Sequence, residues 1–260
     1  MGFLNKAGAA LGIGSASVVV APDGNEYSWG ETVTGRLHLT GGTTDQTIAQ
    51  VQVGLLEHWE TTETDHDTDS TRERRVQHNK YHNLDVLAMQ VIVAAGSRQE
   101  LPFGVTVPQG AALDHEWYVE ARLDLPRAKD QRGRAPIQLI LPRWLLRLEA
   151  ALWQVAPFER SGISQSGTRI SLSYGAPGAL KDKIDGVALW VEESGGNVAG
   201  ELEVNLQEKS LKDHLKALLR KDRVRYPVTF PLAHLSADPD DPPPAEVAEK
   251  LREIVEPHLR

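Results

Sequence analysis

Asn25-Glu26-Tyr27-Ser28-Trp29-Gly30-Glu31-Thr32-Val33-Thr34-Gly35, continued by Arg36-Leu37-His38-Leu39-Thr40, decides how the first half of the chain is read. From Val33 the residues alternate: Val33, Gly35, Leu37 and Leu39 fall on one side, and Thr32, Thr34, Arg36, His38 and Thr40 on the other. A period of two marks a strand with one buried and one wet face. Upstream, Tyr27-Ser28-Trp29-Gly30 reads as a turn, because Gly30 takes positive φ without a Cβ penalty. Tyr27 and Trp29 are large enough to close the end of a sheet.

Working outward, the same design repeats. Val18-Val19-Val20 predicts a first strand, ended at Pro22-Asp23-Gly24-Asn25. After a turn at Gly41-Gly42, Ala49, Val51, Val53 and Leu55 alternate with polar positions, and Leu87, Met89, Val91 and Val93 resume the pattern. Leu101, Phe103, Val105 and Val107 form the next inward set. Trp117, Val119, Ala121, Leu123 and Leu125 face inward opposite Glu116, Tyr118, Glu120, Arg122 and Asp124, and Ile137, Leu139 and Leu141 complete the series. Short alternating strands separated by turn residues predict an all-β sandwich. Residues 60–82 carry no apolar period and read as an exposed strand end with a long hairpin loop.

The sequence changes period at Pro142. Trp144, Leu145, Leu148, Ala151 and Leu152 recur at helical spacing over 143–154. Strands return at Ile170, Leu172 and Tyr174, at Val187, Leu189 and Val191, at Val198, Leu202, Val204 and Leu206, and at Val224, Tyr226, Val228 and Phe230. Ser194-Gly195-Gly196-Asn197 makes a hairpin turn. Ser210-Leu211-Lys212-Asp213 caps a helix over 210–221. Asp238-Pro239-Asp240-Asp241-Pro242-Pro243-Pro244 is a stiff linker before an amphipathic helix from Ala245. The expected organisation is a β-sandwich at 1–141, a second β-rich lobe at 142–236 with two or three helices, and a linker and helix at 237–260.

Together, Tyr27-x-x-Gly30-Glu31-x-Val33-x-Gly35, Leu11-Gly12-Ile13-Gly14-Ser15-Ala16 and Leu101-Pro102-Phe103-x-Val105-x-Val107-Pro108 resemble, in that order, the SpoOM-type sporulation-control proteins of bacteria. The resemblance covers about the first 140 residues. It implies a mainly β chain, an arrestin-like sandwich in the N-terminal lobe, and a second β-rich lobe that extends the arrestin-like architecture. It also implies a regulatory adaptor or scaffold that acts through protein partners, without catalysis or cofactor. In arrestin-like proteins, charged side chains buried between two lobes hold their orientation. The resemblance points to Asp124, Arg127, Lys129, Asp130, Arg132 and Arg134 as such an inter-lobe polar cluster.

Composition narrows the alternatives. Thirty-six acidic residues against 28 basic ones give a net charge of −8, which argues against a nucleic-acid surface. The absence of cysteine removes disulfides, thiol catalysis and Cys-ligated zinc, and fits a reducing cytoplasm. No apolar run approaches the roughly 20 residues of a membrane span. The N-terminus has no basic leader with an apolar core, and Lys6 breaks the myristoylation pattern. A short helix over 3–11, with Phe3, Leu4, Ala7 and Leu11 on one face, packs on the sandwich or makes weak contact with a membrane surface. An unpaired sheet edge would support a homodimer.

Metal and catalytic patterns are incomplete. Asp65-x-Asp67-x-Asp69 opens like a calcium loop, but Ser70 and Val76 stand where Gly and Glu are needed. His58, His66, His78 and His82 lie close in sequence without a His-Glu-x-x-His frame; converging across a hairpin, they would respond to pH. Gly162-Ile163-Ser164-Gln165-Ser166-Gly167 is one residue too long for a nucleophile elbow and reads as a loop. The hydrolase alternative rests on Ser164 or Ser166 meeting His214 in the second lobe.

Overall fold

The computed structural model describes residues 14–67, 70–126, 128–207, 223–235, 241–242 and 244–259, and the side chains of these apart from 64–67 and 70–72. The helices expected over 3–11 and 210–221, with His214, lie outside the described residues. So do the side chains of His66, Asp65, Asp67 and Asp69. The chain divides into two compact units, Met1–Gln109 with Leu113–Ile140, and Gly110–Ala112 with Leu141–Arg260.

The first unit is built from β1 (Ser17–Pro22), β2 (Glu26–Tyr27), β3 (Thr32–Thr40), β4 (Gln46–Asp67), β5 (Ser70–Val93), β6 (Arg98–Thr106), β7 (Glu116–Asp124) and β8 (Gln131–Leu139). Two sheets form, ordered β1-β3-β6 and β2-β8-β7-β4-β5. All pairings are antiparallel except β2 with β8. The alternation in β3 is realised: Val33, Leu37 and Leu39 are fully buried, while Thr32, Thr34 and Arg36 are exposed. With Val20, Phe103, Val105, Trp117, Val119, Leu123 and Ile137 they make the core. Each fully buried large side chain contributes about 1.5–3 kcal/mol of transfer free energy.

The corner before β3 is a closed hydrogen-bond unit. Gly30 has φ +77° and donates its amide to Val107 O at 3.0 Å, while Val107 N donates to Glu31 O at 2.8 Å. The Glu31 carboxylate turns back to accept from Ser28 N at 2.8 Å. Tyr27 and Trp29 are buried over this end.

Two expectations in this unit are corrected. Residues 60–82 are not a loop: β4 and β5 stay paired from Gln46↔Val93 out to Asp67↔Ser70. Opposite charges facing across the ladder, Glu63↔Arg74 and the Glu60–Arg75 ion pair at 3.3 Å, let a ribbon exposed on both faces remain a ribbon. Second, Met89 is 64% exposed rather than inward, and Ile48, not Ala49, enters the core. Register shifts at Val51/Gln52 and Val53/Leu55, with positive φ at Asn83 and Gln90, break the strict alternation of β5.

The second unit contains α1 (Arg143–Val155), β9 (Glu159–Ser166), β10 (Arg169–Gly175), β11 (Ile184–Ser194), β12 (Asn197–Leu206), β13 (Arg223–Pro231), α2 (Leu232–Leu235) and α3 (Ala245–Val255). The strands form one antiparallel sheet, β13-β12-β11-β10-β9. The stretch around Ser164, expected as a loop, is the edge strand β9. It is polar and nearly all exposed, so it carries no apolar period. Among the described residues this unit holds no second sheet, and three α-helices accompany the one it has, as expected of a β-rich lobe with two or three helices. Glu149 on α1 accepts from the Tyr174 hydroxyl on β10 at 2.9 Å, and Lys250 on α3 donates to Thr229 O on β13 at 2.9 Å. The helix from Ala245 is docked, not free: Val247, Ala248, Leu251 and Val255 are buried. The buried Arg147 on α1 donates to Asp241 O (3.1 Å) and Pro242 O (3.0 Å), which ties down the proline-rich approach.

Candidate functional site

The first unit concentrates titratable and aromatic side chains at one end of β4. Antiparallel pairing sets Leu55 opposite His82, His58 opposite Asn79 and Trp59 opposite His78, while β7 sets Trp117 opposite Glu57. All four singled-out histidines thus lie on one ribbon, His58, His78 and His82 near its base, and His115, from the turn before β7, joins these three. Glu57 is buried and accepts from two imidazoles, His82 Nε2 at 2.8 Å and His115 Nδ1 at 2.7 Å. Trp59 lies between the rings of His78 and His115, each with centroids 5.0 Å away and nearly parallel. His82 tilts against Trp117 at 5.2 Å. The outer end is fixed by His78 Nε2 and Thr61 Oγ1 at 2.7 Å.

Burial pushes the Glu57 carboxyl up. The hydrogen bonds and charges of His82 and His115 more than offset this and hold it below the usual carboxylate range. The carboxylate is therefore ionised and bridges two rings that each aim an N–H at it. A cavity of about 250 Å³ opens beside the stack, lined by His58, Trp59, Glu60, Asp114, His115 and Glu116. Among the described residues no group of three or more His, Asp or Glu side chains has metal-binding geometry. His78 and His82 sit on a strand and serve separate partners.

The charged set at the end of β7 is placed as follows. Asp124, Lys129, Asp130, Arg132 and Arg134 are exposed, and Arg127 lies outside the described residues. Asp130 Oδ1 accepts from Leu125 N at 3.5 Å. The buried acid nearby is one the alternation assigned to solvent: Glu120 is fully buried and accepts from Arg122 Nε at 2.8 Å and Arg134 Nε at 2.6 Å. Arg122 in turn lies over the Tyr81 ring at 4.0 Å. Of the named set, Arg134 alone has a buried ionic partner among the described residues. Glu120 belongs to a strand whose outward face is itself covered, a condition that strand periodicity does not report.

In the second unit the outer face of the sheet holds an open basin of about 460 Å³, lined by Ser164, Gln165, Ser166, Arg169, Ser171, Trp190, Glu201 and Arg225. Ser164 and Ser166 lie on β9, which turns at Gly167 (φ +60°) into β10 and not into a helix, so no strained elbow exposes either hydroxyl. The Gln165 amide is committed to Gly110 O, Ala111 O and Gly167 O. No described histidine lines the basin.

Comparison with known proteins places this geometry. A search of curated proteins found no match. The crystal structure of Spo0M, sporulation control protein, from Bacillus subtilis superposes with a TM-score of 0.57 at 17% identity, covering 95% of this chain and 100% of that one. At that identity it supports the fold. Dimeric latent PorU from Porphyromonas gingivalis aligns at a TM-score of 0.29 and 9% identity, over 84% of this chain and 24% of that one, too low to bear on the argument. The family model described as SpoOM protein matches residues 4–148, more than half of the sequence and nearly all of the first unit. The chain belongs to the SpoOM family of sporulation-control proteins.

Proposed function

We propose that the chain is a non-enzymatic cytoplasmic regulatory adaptor that works by binding other proteins. One observation carries the reading. β7 leaves the side of β4 at His58↔Glu116, yet the β4–β5 ladder runs on from Trp59↔His78 to Asp67↔Ser70. The result is a two-stranded arm whose main-chain edges are unpaired among the described residues and whose side chains at 60–63 and 73–75 are exposed. An exposed strand edge recruits an extended partner through backbone hydrogen bonds, with side chains supplying selectivity. The rigid Trp59–histidine stack at the base would present this arm at a fixed angle.

The test replaces residues 62–75 by Asn-Gly, a two-residue turn that closes the ladder after Thr61↔Val76 and spares the stack. Tagged full-length protein and the shortened form are used to capture partners from native cytoplasm, and each recovered protein is re-tested in purified form. Direct binding that falls at least tenfold with the shortened arm supports the adaptor reading. Equal binding by both forms refutes a role for the arm.

A further inference from the structure

We infer that the open basin on the second unit's sheet binds a small ligand that carries a flat ring with an oxyanion at one end. This goes beyond the adaptor reading, because it gives the second unit a small-molecule site of its own. The register fixes the layout: Ser164, Ser171, Trp190 and Glu201 follow one another across β9, β10, β11 and β12. Arg169 lies two residues before Ser171 on the same face, about 7 Å along the strand.

The donors gather on one side. The Arg169 guanidinium and the Ser164, Ser166 and Ser171 hydroxyls line the basin, and none has a side-chain partner among the described residues. A planar guanidinium fork with hydroxyl donors around it fits the oxygens of a phosphate or carboxylate. On the other side the charges are already paired. Glu203, fully buried, accepts from Arg225 Nε at 2.8 Å and Arg223 NH1 at 3.5 Å, and Glu201 lies 3.6 Å from Arg225. Two arginines, Arg169 and Arg225, line the basin against one carboxylate, Glu201, so its lining is positive on a chain of net charge −8. Arg169 is the cation left to bind an anion.

The half-exposed Trp190 ring stands between these two sides, held from β13 by the Arg225 guanidinium 5.1 Å from its centroid. An indole fixed in this way is a stacking surface for another flat ring. The Glu201 carboxylate, 42% exposed at the far end, accepts hydrogen bonds from ring amino or hydroxyl groups. Oxyanion, ring and donor in that order describe a nucleoside monophosphate or an aryl phosphate.

The experiment titrates the full chain with AMP, phenyl phosphate, adenosine and inorganic phosphate by calorimetry and tryptophan fluorescence. AMP or phenyl phosphate is expected to bind at least tenfold more tightly than inorganic phosphate or adenosine. Binding by AMP and not phenyl phosphate identifies a nucleotide, and the reverse an aryl phosphate such as a modified tyrosine. Arg169→Gln and Trp190→Ala are each expected to weaken binding at least tenfold, with Trp190→Phe staying within a few-fold because it keeps a ring. Both positions lie on the outer face of the sheet, and circular dichroism confirms that each of the three variants is folded. No binding of either phosphate ester at millimolar concentration overturns the inference. So does binding that Arg169→Gln and Trp190→Ala leave unchanged.

Discussion

Replacing Glu57 with Gln isolates the charge of the buried carboxylate while keeping its volume. In the wild type, two imidazole N–H groups donate to it at 2.8 and 2.7 Å. Hydrogen bonds to a charged group contribute about 1.5–3 kcal/mol each, and the pair shares one carboxylate, so the two do not add fully. Gln retains one acceptor oxygen and turns a donor toward the other ring. The expected loss is about 2–3 kcal/mol at neutral pH. The sign of the pH dependence follows from the depressed carboxyl. A carboxylate whose folded pKa lies below its unfolded value contributes stability above the unfolded value, near 4.5, and loses it as pH falls through the folded one. Glu57→Gln therefore removes stability at pH 7 and flattens its fall in the acid range. Amide hydrogen exchange resolved by peptide, at a series of pH values from 7 to 4, reads β4 and β7 locally and keeps the second unit out of the measurement. Unchanged protection of both strands at pH 7, with the same acid fall as wild type, would refute a structural role for the bridge.

Other substitutions test separate parts of the same reasoning. Gly35→Ala places a methyl 2.3 Å from Ala21 O and 2.7 Å from the Phe103 ring, and main chain cannot swing aside. Thermal unfolding should report a loss of about 1–3 kcal/mol in the first unit. Glu203→Leu leaves Arg223 and Arg225 without their buried acceptor; because both are about half exposed, the loss in urea unfolding should stay near 1–3 kcal/mol. Arg147→Met removes the two donors that hold Asp241 O and Pro242 O, and limited proteolysis should then cut the proline-rich approach faster while α1 stays protected. Arg36→Gln breaks an ion pair open to solvent on both sides, and differential scanning calorimetry should show no change in midpoint.

Strands with one face in water were legible because burial writes a period of two into the residues, as Val33, Leu37 and Leu39 show. A strand with both faces in water, or with both covered, carries no such period. β9 is exposed along almost its whole length, so polarity alone made it look like a loop. The outer arm of β4 and β5 has the same character and needs only its own cross-strand pairs to persist. Met89 marks the opposite error: an apolar residue counted inward on an edge strand whose bulges and positive-φ residues rotate it to solvent. In the second unit the residues predict a β-rich lobe with helices but do not say what covers its sheet. Its inner face, Ile170, Leu172, Leu189 and Leu202, needs a cover, and alternation cannot tell a facing sheet from facing helices.

The site was half legible on the same physical grounds. His58, His78 and His82 are near one another in sequence, and antiparallel pairing keeps them near in space. His115 is remote in sequence, and nothing in the sequence around it signals that its ring closes the stack on Trp59. Glu57 and Glu120 were hidden by their charge, since a carboxylate on a strand is assigned to water unless its partners are known. Glu57 takes its partners from neighbouring elements, His82 and His115, while Glu120 takes Arg122 from its own strand and Arg134 from β8. Buried ionic groups are chosen by the partners a fold assembles around them, and those partners become visible only with the fold. The described residues of the polar cluster that the resemblance implied lie at exposed positions on the end of β7, the connection after it and the start of β8. The buried charge sits at Glu57 on β4 and at Glu120 on β7, where each carboxylate meets two donors, Arg134 of that cluster among them.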